Sequence, residues 1–198
     1  MTNSARSYFV TSVAVVIGAF IFLSPKEESS VNATATTSRQ IPIPDEQARF
    51  IAAIDSGRAA YKAGANEMAK GAARPQRAQL LCNGSSQLQR VQNWIGKVAT
   101  LSSNGDGKGV LSIMIGNNVH VKTWNNFLSD TGAGTLIEPS SPLFRRASSL
   151  SVGQVVAFSG SFIPDRTDCV RESSMTLDGS IREPEFIFRF SDVTAVNK

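Results

Sequence analysis

Three side chains that could bind a ligand alternate along one predicted strand: His120, Lys122 and Trp124. Because successive side chains of a strand point to opposite faces, these three share one face. An aromatic ring beside a cation can stack a nucleic-acid base or hold an anionic group. The alternative is a solvated outer face with a partly covered tryptophan. No serine or cysteine is placed locally to act as a nucleophile for His120, the only histidine, so we predict no catalytic residues.

A second candidate site is the polar segment 164–184. Its Asp165, Asp168, Arg171 and Glu172 could form a mixed-charge contact surface. Neighbouring carboxylates can serve acid–base chemistry, but nothing in this segment supplies a substrate pocket. The alternative is a solvated loop that a disulfide holds in place.

The chain has two cysteines, Cys82 and Cys169, and neither belongs to a CxxC motif. In an oxidising compartment they could form a disulfide, which on chain-entropy grounds would stabilise the fold by about 4–5 kcal/mol. The alternative is two unpaired buried thiols.

Composition excludes several classes of protein. The chain has 198 residues, 41% of them hydrophobic and 18% charged, which suits one domain with appendages. A single histidine excludes a multi-histidine metal site. The turn at 104–109 (NGDGKG) lacks the terminal glutamate of an EF-hand and the spacing of a phosphate loop. We therefore predict neither a metal site nor a cofactor.

A small β-module is predicted to position these residues. From Val91 onward the sequence has the period of strands, with a bulge expected at Gly96. Predicted strands cover residues 91–101, 110–115, 119–124, 155–163 and 185–196, and the last carries Phe186, Phe188 and Phe190 on one face. Five strands with an insertion between the third and fourth indicate a mainly β fold, an OB-like barrel over 83–198.

An amphipathic helix is predicted in 45–82, capped by Asp45 and stopped by Pro75. A large residue and a glycine each recur every seven positions, at Ile54, Tyr61 and Met68 and at Gly57, Gly64 and Gly71. Two such stripes suggest close packing against a partner surface, and the alternative is a solvated Ala/Gly-rich helix.

The basic excess lies in this helical part. Residues 39–82 hold seven Lys/Arg and four Asp/Glu, whereas 83–198 hold eleven and ten. The excess surrounds Lys70, Arg74 and Arg77, where it could attract anionic lipid or form a solvated helix end.

The N-terminal region contains a candidate membrane anchor. Residues 8–23 carry no charge, and we predict a signal anchor at 8–24, between a cytoplasmic stub (1–7) and a flexible linker (25–44). A cleaved secretory signal, giving a secreted protein, is the alternative. Arg6 weakly favours a cytoplasmic N-terminus, and so a barrel outside the cytoplasm.

Four segments resemble the tRNA_anti-like group of OB-fold proteins. They are YKAGANEMAKGAARPQRAQLLC (61–82), WIGKVATL (94–101), LSVGQVVAFSGSF (150–162) and FIFRFSDVTAV (186–196). Proteins of this group are bacterial and often carry a membrane segment ahead of the barrel. The resemblance implies the fold and a general binding role, and it implies no catalytic residues.

Together these features predict a single-pass protein of the bacterial inner membrane with a periplasmic barrel. We expect a non-enzymatic binding or scaffolding role, with the membrane contacted through 8–24 and an envelope protein as partner. The runner-up is a cytoplasmic barrel that binds single-stranded nucleic acid, which the near-neutral charge of the barrel disfavours. A hydrolase of the envelope is the third hypothesis.

Overall fold

The computed structural model describes residues 41–196. The predicted stub, the predicted span at 8–24 and most of the predicted linker lie outside these residues. Within 41–196, no helix combines the length and the apolar character that crossing a bilayer requires.

Fourteen elements follow one another in the described part of the chain. The helical lead-in comprises α1 (Asp45–Ala63), α2 (Glu67–Gly71), α3 (Ala73–Asn83) and α4 (Ser85–Leu88). The remainder comprises β1 (Val91–Ser103), β2 (Gly109–Gly116), β3 (Val119–Lys122), α5 (Phe127–Asp130), α6 (Pro142–Ser148), β4 (Val155–Phe162), β5 (Pro164–Asp165), β6 (Cys169–Val170), α7 (Leu177–Arg182) and β7 (Glu185–Ala195).

Five of the strands close into a barrel in the order β1-β2-β3-β7-β4. Strands β3 and β7 run parallel, and the other neighbours run antiparallel. The short strands β5 and β6 pair separately in the connection between β4 and β7. The predicted five-stranded OB-like barrel is therefore confirmed, although β3 ends at Lys122 and does not include Trp124, which the predicted strand 119–124 contained.

Aromatic side chains fill the barrel. Phe186, Phe188 and Phe190 on β7 are all buried, as the alternation along this strand predicts. Helix α1 adds Phe50, whose ring lies 4.9 Å from that of Phe162. The helical lead-in therefore shares the hydrophobic core of the barrel and is part of the same folded unit.

The single predicted helix is wrong, because the lead-in is broken at Gly64. Helix α1 ends at Ala63 with Gly64 extended, and the side chain of Asn66 caps α2. Pro75 does not stop a helix but lies in the first turn of α3, where its missing N–H costs nothing. Asp45 does not cap α1 but is its first residue, after Pro44.

The predicted stripe of large residues packs on α1 but not on α2. Ile54 is buried on α1, whereas Met68 is 90% exposed on α2 because the break at Gly64 interrupts the helical period. Among the glycines, a Cβ at Gly57 would lie 3.0 Å from Cβ of Arg77, whereas one at Gly71 would meet no atom within 4 Å. A Cβ at Gly64 would lie 2.7 Å from the backbone nitrogen of Lys70. Close approaches are therefore made by Gly57, between α1 and α3, and by Gly64, between the end of α1 and α2.

Gly96 is required by a close approach between strands and not by the predicted bulge. A Cβ at Gly96 would overlap the side chain of Ile113 and lie 2.8 Å from the carbonyl oxygen of Met114. The register irregularities of β1 fall on either side, between Val91 and Trp94 and between Val98 and Thr100. The predicted position of the bulge is therefore wrong.

The fully buried Gln47 joins α1 to β1. Its side-chain Oε1 accepts a 2.8 Å hydrogen bond from the N–H of Ile95, and its Nε2 donates to the carbonyl oxygen of the same residue. The side chain of Gln47 thus bonds to both the N–H and the carbonyl of Ile95, as a neighbouring strand would.

Candidate binding face

The outer side of the barrel carries four polar side chains on three adjacent strands. We call this group the β3 face: Ser112 on β2, His120 and Lys122 on β3, and Glu185 on β7. Pairing brings them together, because His120 is opposite Glu185 across β3 and β7, and Lys122 is opposite Ser112 across β2 and β3. In OB folds the face of the second and third strands is the usual ligand-binding surface.

The charges of the β3 face are paired. Nζ of Lys122 lies 2.9 Å from Oε2 of Glu185, and the hydroxyl of Ser173 donates a 2.7 Å hydrogen bond to the same oxygen. Burial alone would raise the pKa of Glu185, but the hydrogen bonds from Lys122 and Ser173 outweigh it and lower that pKa. The carboxylate is therefore held ionised beside a cation, in a pair that remains partly open to solvent.

His120 lies beside a serine that sequence reasoning missed. Nδ1 of His120 is 3.3 Å from the hydroxyl oxygen of Ser112, and burial lowers the pKa of the ring, which favours neutral imidazole. The prediction covered only serines placed locally to act as a nucleophile for His120, whereas Ser112 reaches the ring from the neighbouring strand. The contact between Ser112 and His120 depends on the register of β2 and β3, which is irregular between Met114 and Gly116.

This serine–histidine contact lacks the other parts of a hydrolytic site. In the described residues no carboxylate hydrogen-bonds to the ring of His120, and the nearby Glu185 is already bonded to Lys122 and Ser173. Ser112 sits within the ladder of β2, where its backbone is paired on both sides, and not on an exposed turn. The geometry therefore does not orient a general base or expose a nucleophile.

Trp124 stands at the edge of the β3 face and is half-buried. Its ring packs against the small apolar cluster of Ala133, Ile163 and Ile187. Its backbone N–H donates a 2.9 Å hydrogen bond to the hydroxyl of Thr135. One side of the indole thus covers the outside of the barrel, which leaves only part of it for a ligand.

The second predicted site is packed against α3. Asp168 forms an ion pair with Arg74, and Oε2 of the buried Glu172 lies 2.7 Å from Nη2 of Arg77. The hydroxyl of Ser180 donates a further 2.7 Å hydrogen bond to the same oxygen of Glu172. Segment 164–184 is therefore anchored by buried charges, and two of its four predicted residues serve this contact.

The other two predicted residues of this segment have backbone roles. Oδ1 of Asp165 accepts a 2.8 Å hydrogen bond from the N–H of Thr167 and closes a local turn. The backbone of Arg171 bonds to Ile163 and Ile187, which places its main chain beside β7. The structure therefore does not unite the four predicted residues in one open surface, and they do not join the β3 face.

The predicted lipid-attracting cluster also has a different role. Arg77 is fully buried, with its guanidinium 5.6 Å from the centre of the Phe186 ring, and Arg74 is committed to Asp168. Lys70 and Arg74 both remain partly exposed, and Glu67, the partner of Lys70, raises the pKa of that lysine. No sequence signal identifies the partners of the two arginines, because they lie more than 90 residues away.

A disulfide between Cys82 and Cys169 completes the contact between α3 and segment 164–184. The bond joins residues that are 87 positions apart in the sequence. The turn 104–109 is closed by hydrogen bonds from the N–H groups of Asp106 and Lys108 to Oδ1 of Asn104, as expected of a plain turn. Across residues 41–196, no group of three or more metal-ligating side chains is found.

No protein-family model matches the sequence, and no curated protein is significantly similar to it.

Proposed function

We propose that this chain is a membrane-anchored, non-enzymatic binding protein whose barrel works outside the cytoplasm. Its partner is an envelope protein that docks on the β3 face. The proposal rests on a difference between segment 164–184 and the β3 face, which correspond to two surfaces that OB folds use for recognition. Segment 164–184 is anchored to α3 by a disulfide and buried ion pairs, whereas the Lys122–Glu185 pair of the β3 face is partly open to solvent, with side chains 20% and 42% exposed.

The disulfide supports the location. Disulfides form and persist in oxidising compartments and are rare where thiols are kept reduced. The predicted signal anchor at 8–24 agrees with export of the barrel, and a secretory signal would also export it.

The chemistry of the β3 face favours a polypeptide partner. It offers one anion, one cation, a neutral imidazole and a hydroxyl within a few residues, and these groups suit both charged and neutral groups of a protein surface. Because the Lys122–Glu185 pair is only partly buried, an approaching partner can bond to either charge without first breaking a buried contact.

Single-stranded nucleic acid is the weaker alternative. Backbone binding needs uncompensated positive charge, but Lys122 is neutralised by Glu185. Stacking needs a free aromatic face, but Trp124 is packed against Ile187 and its neighbours.

Photo-crosslinking in intact cells of the native host tests the proposal. The crosslinking residue replaces Met114, which pairs with His120 and leaves the β3 face intact. We expect a discrete protein adduct that disappears when Lys122→Glu is added, because this change places two like charges side by side. A crosslinker at the exposed Thr194 on β7 and the exposed-site reversal Arg182→Glu are the matched controls. An adduct that survives Lys122→Glu, or that also forms from Thr194, would contradict docking on this face.

A further inference from the structure

The connection between β3 and α6 holds two large apolar side chains out in solvent. Phe127 and Leu128 begin α5 and are 59% and 84% exposed. Among the exposed large hydrophobic residues of the described part of the chain, they are the only two that are adjacent in sequence. Adjacent exposed apolar residues of this size are typical of a surface that contacts a partner.

The exposure of Phe127 and Leu128 is built into the connection by its own hydrogen bonds. The side chain of Asn126 caps α5 by accepting a 2.9 Å hydrogen bond from the N–H of Ser129. The carboxylate of Asp130 accepts from the N–H and hydroxyl of Thr135, both at 2.6 Å, and from the N–H of Leu136. This frame holds α5 in a fixed conformation with its apolar residues outward.

The same connection is almost without charge. Between Thr123 and Ile137 the only charged residue is Asp130, whose carboxylate is directed into the connection. At its base the exposed Arg189 donates a 3.1 Å hydrogen bond to the carbonyl oxygen of Gly134 and a second to that of Ala133. The connection is therefore apolar at α5, uncharged in its middle and positively charged at Arg189. A bilayer surface changes in the same order, from acyl chains to phosphates.

We propose that Phe127 and Leu128 insert into the interface of a phospholipid bilayer, with Arg189 facing the lipid phosphates. A protein partner is less well matched, because Asp130, the only charged residue between Thr123 and Ile137, is directed into the connection and so cannot orient a partner. The signal anchor predicted at 8–24 would tether the chain to a bilayer. This contact goes beyond the proposed function, because it uses a different surface and requires no protein partner.

Fluorescence quenching in vesicles tests the contact. The full chain is reconstituted into vesicles of phosphatidylethanolamine and phosphatidylglycerol, with or without bromine on the acyl chains. The reporter chain carries Phe127→Trp and Trp124→Phe, so that the remaining native tryptophan is Trp94, which is fully buried in the core. We expect brominated lipid to reduce the emission of the reporter about twofold, as for an aromatic ring at the membrane interface.

A matched reporter at another exposed apolar position provides the control. Val152 is 65% exposed on the turn before β4, and Val152→Trp in the same Trp124→Phe background should be quenched far less. Adding Leu128→Asp to the first reporter should reduce its quenching to the level of the Val152 reporter, and an unchanged circular dichroism spectrum would show that the fold is retained. Equal quenching of the two reporters, or no effect of Leu128→Asp, would overturn the proposal.

Discussion

Arg77 on α3 hydrogen-bonds to Glu172 over a distance of 2.7 Å, although 95 residues separate the two in the sequence. Both side chains are buried, so each is the main charge compensation of the other. Removing two charges from water is expensive, and the pair is tolerated because Ser180 and Phe186 also contact the arginine. This contact fixes the segment between β4 and β7 against α3.

Replacing Arg77 alone should therefore destabilise the protein strongly. Arg77→Met leaves the buried carboxylate of Glu172 with only Arg74, at 3.8 Å, as a cation. We expect a loss of about 3 kcal/mol in the free energy of unfolding, the lower end of the range for a broken buried pair. Denaturant unfolding of the full chain in detergent measures this loss. Arg182→Met, which breaks an exposed pair with Asp178, is the control and should cost less than about 1 kcal/mol.

The double variant Arg77→Met with Glu172→Leu separates the charge from the packing. If the uncompensated carboxylate causes the loss, removing it should restore much of the stability. A double variant no more stable than Arg77→Met would show that the contact does not act through charge.

Gln47 should be needed for closure of the barrel at β1. In Gln47→Ala the N–H and carbonyl of Ile95 lose the side chain that bonds to both, and each unsatisfied group costs about 1–3 kcal/mol. The free energy of unfolding measures the change, with the exposed Gln92→Ala on the same strand as control. Equal stability of the two variants would contradict the assigned role of Gln47.

The barrel could be predicted from the sequence because its strands repeat a local signal. Phe186, Phe188 and Phe190 recur at every second position, and burial of the face they share fixes the strand and its orientation. The helical lead-in could not be predicted as closely, because the residues around Gly64 and Pro75 are compatible with both a break and a continuous helix. Tertiary packing decides between the two.

Only some residues of the β3 face could be predicted from the sequence. His120 and Lys122 share a face by alternation alone, so the sequence identifies them. Ser112 and Glu185 join them through strand register and a parallel pairing, which depend on the whole barrel. Arg77 looks like a surface cation in the sequence because its partner Glu172 lies in a distant segment.

Reduction of the disulfide should weaken the native fold. The bond joins Cys82 to Cys169 across 87 positions, and on chain-entropy grounds its removal costs about 4–5 kcal/mol. We expect a thiol reductant to lower the denaturant midpoint of the native chain and to leave that of the Cys82→Ser, Cys169→Ser double variant unchanged. An equal response of the two chains would mean that the bond does not stabilise the fold.

Stability should decrease in mildly acidic solution through His120. Burial lowers the pKa of the folded ring below its ordinary 6.5, so the unfolded chain binds a proton first as the pH falls. The contribution of neutral His120 to the free energy of unfolding is fully present above the pKa of the unfolded state. It is lost as the pH falls through the pKa of the folded state. The pKa of Glu185 is also lowered in the folded state. This residue therefore changes stability only below its ordinary pKa of 4.5, in a lower pH range than His120.

Unfolding free energies between about pH 7.5 and about pH 5.5 test this contribution. His120→Gln removes the ring that titrates among Ser112, Lys122, Glu183 and Glu185 and should flatten the pH dependence. The same slope in the native chain and in the variant would show that His120 is not its source.

If the barrel works outside the cytoplasm as proposed, a reporter enzyme fused to its C-terminus must be exported with it. Alkaline phosphatase is fused after Lys198 and assayed in intact bacterial cells, because this enzyme needs its own disulfides and is active only after export. We expect high phosphatase activity. An expressed but inactive fusion would contradict it, since the barrel would then lie in a reducing compartment, where the bond between Cys82 and Cys169 is not maintained.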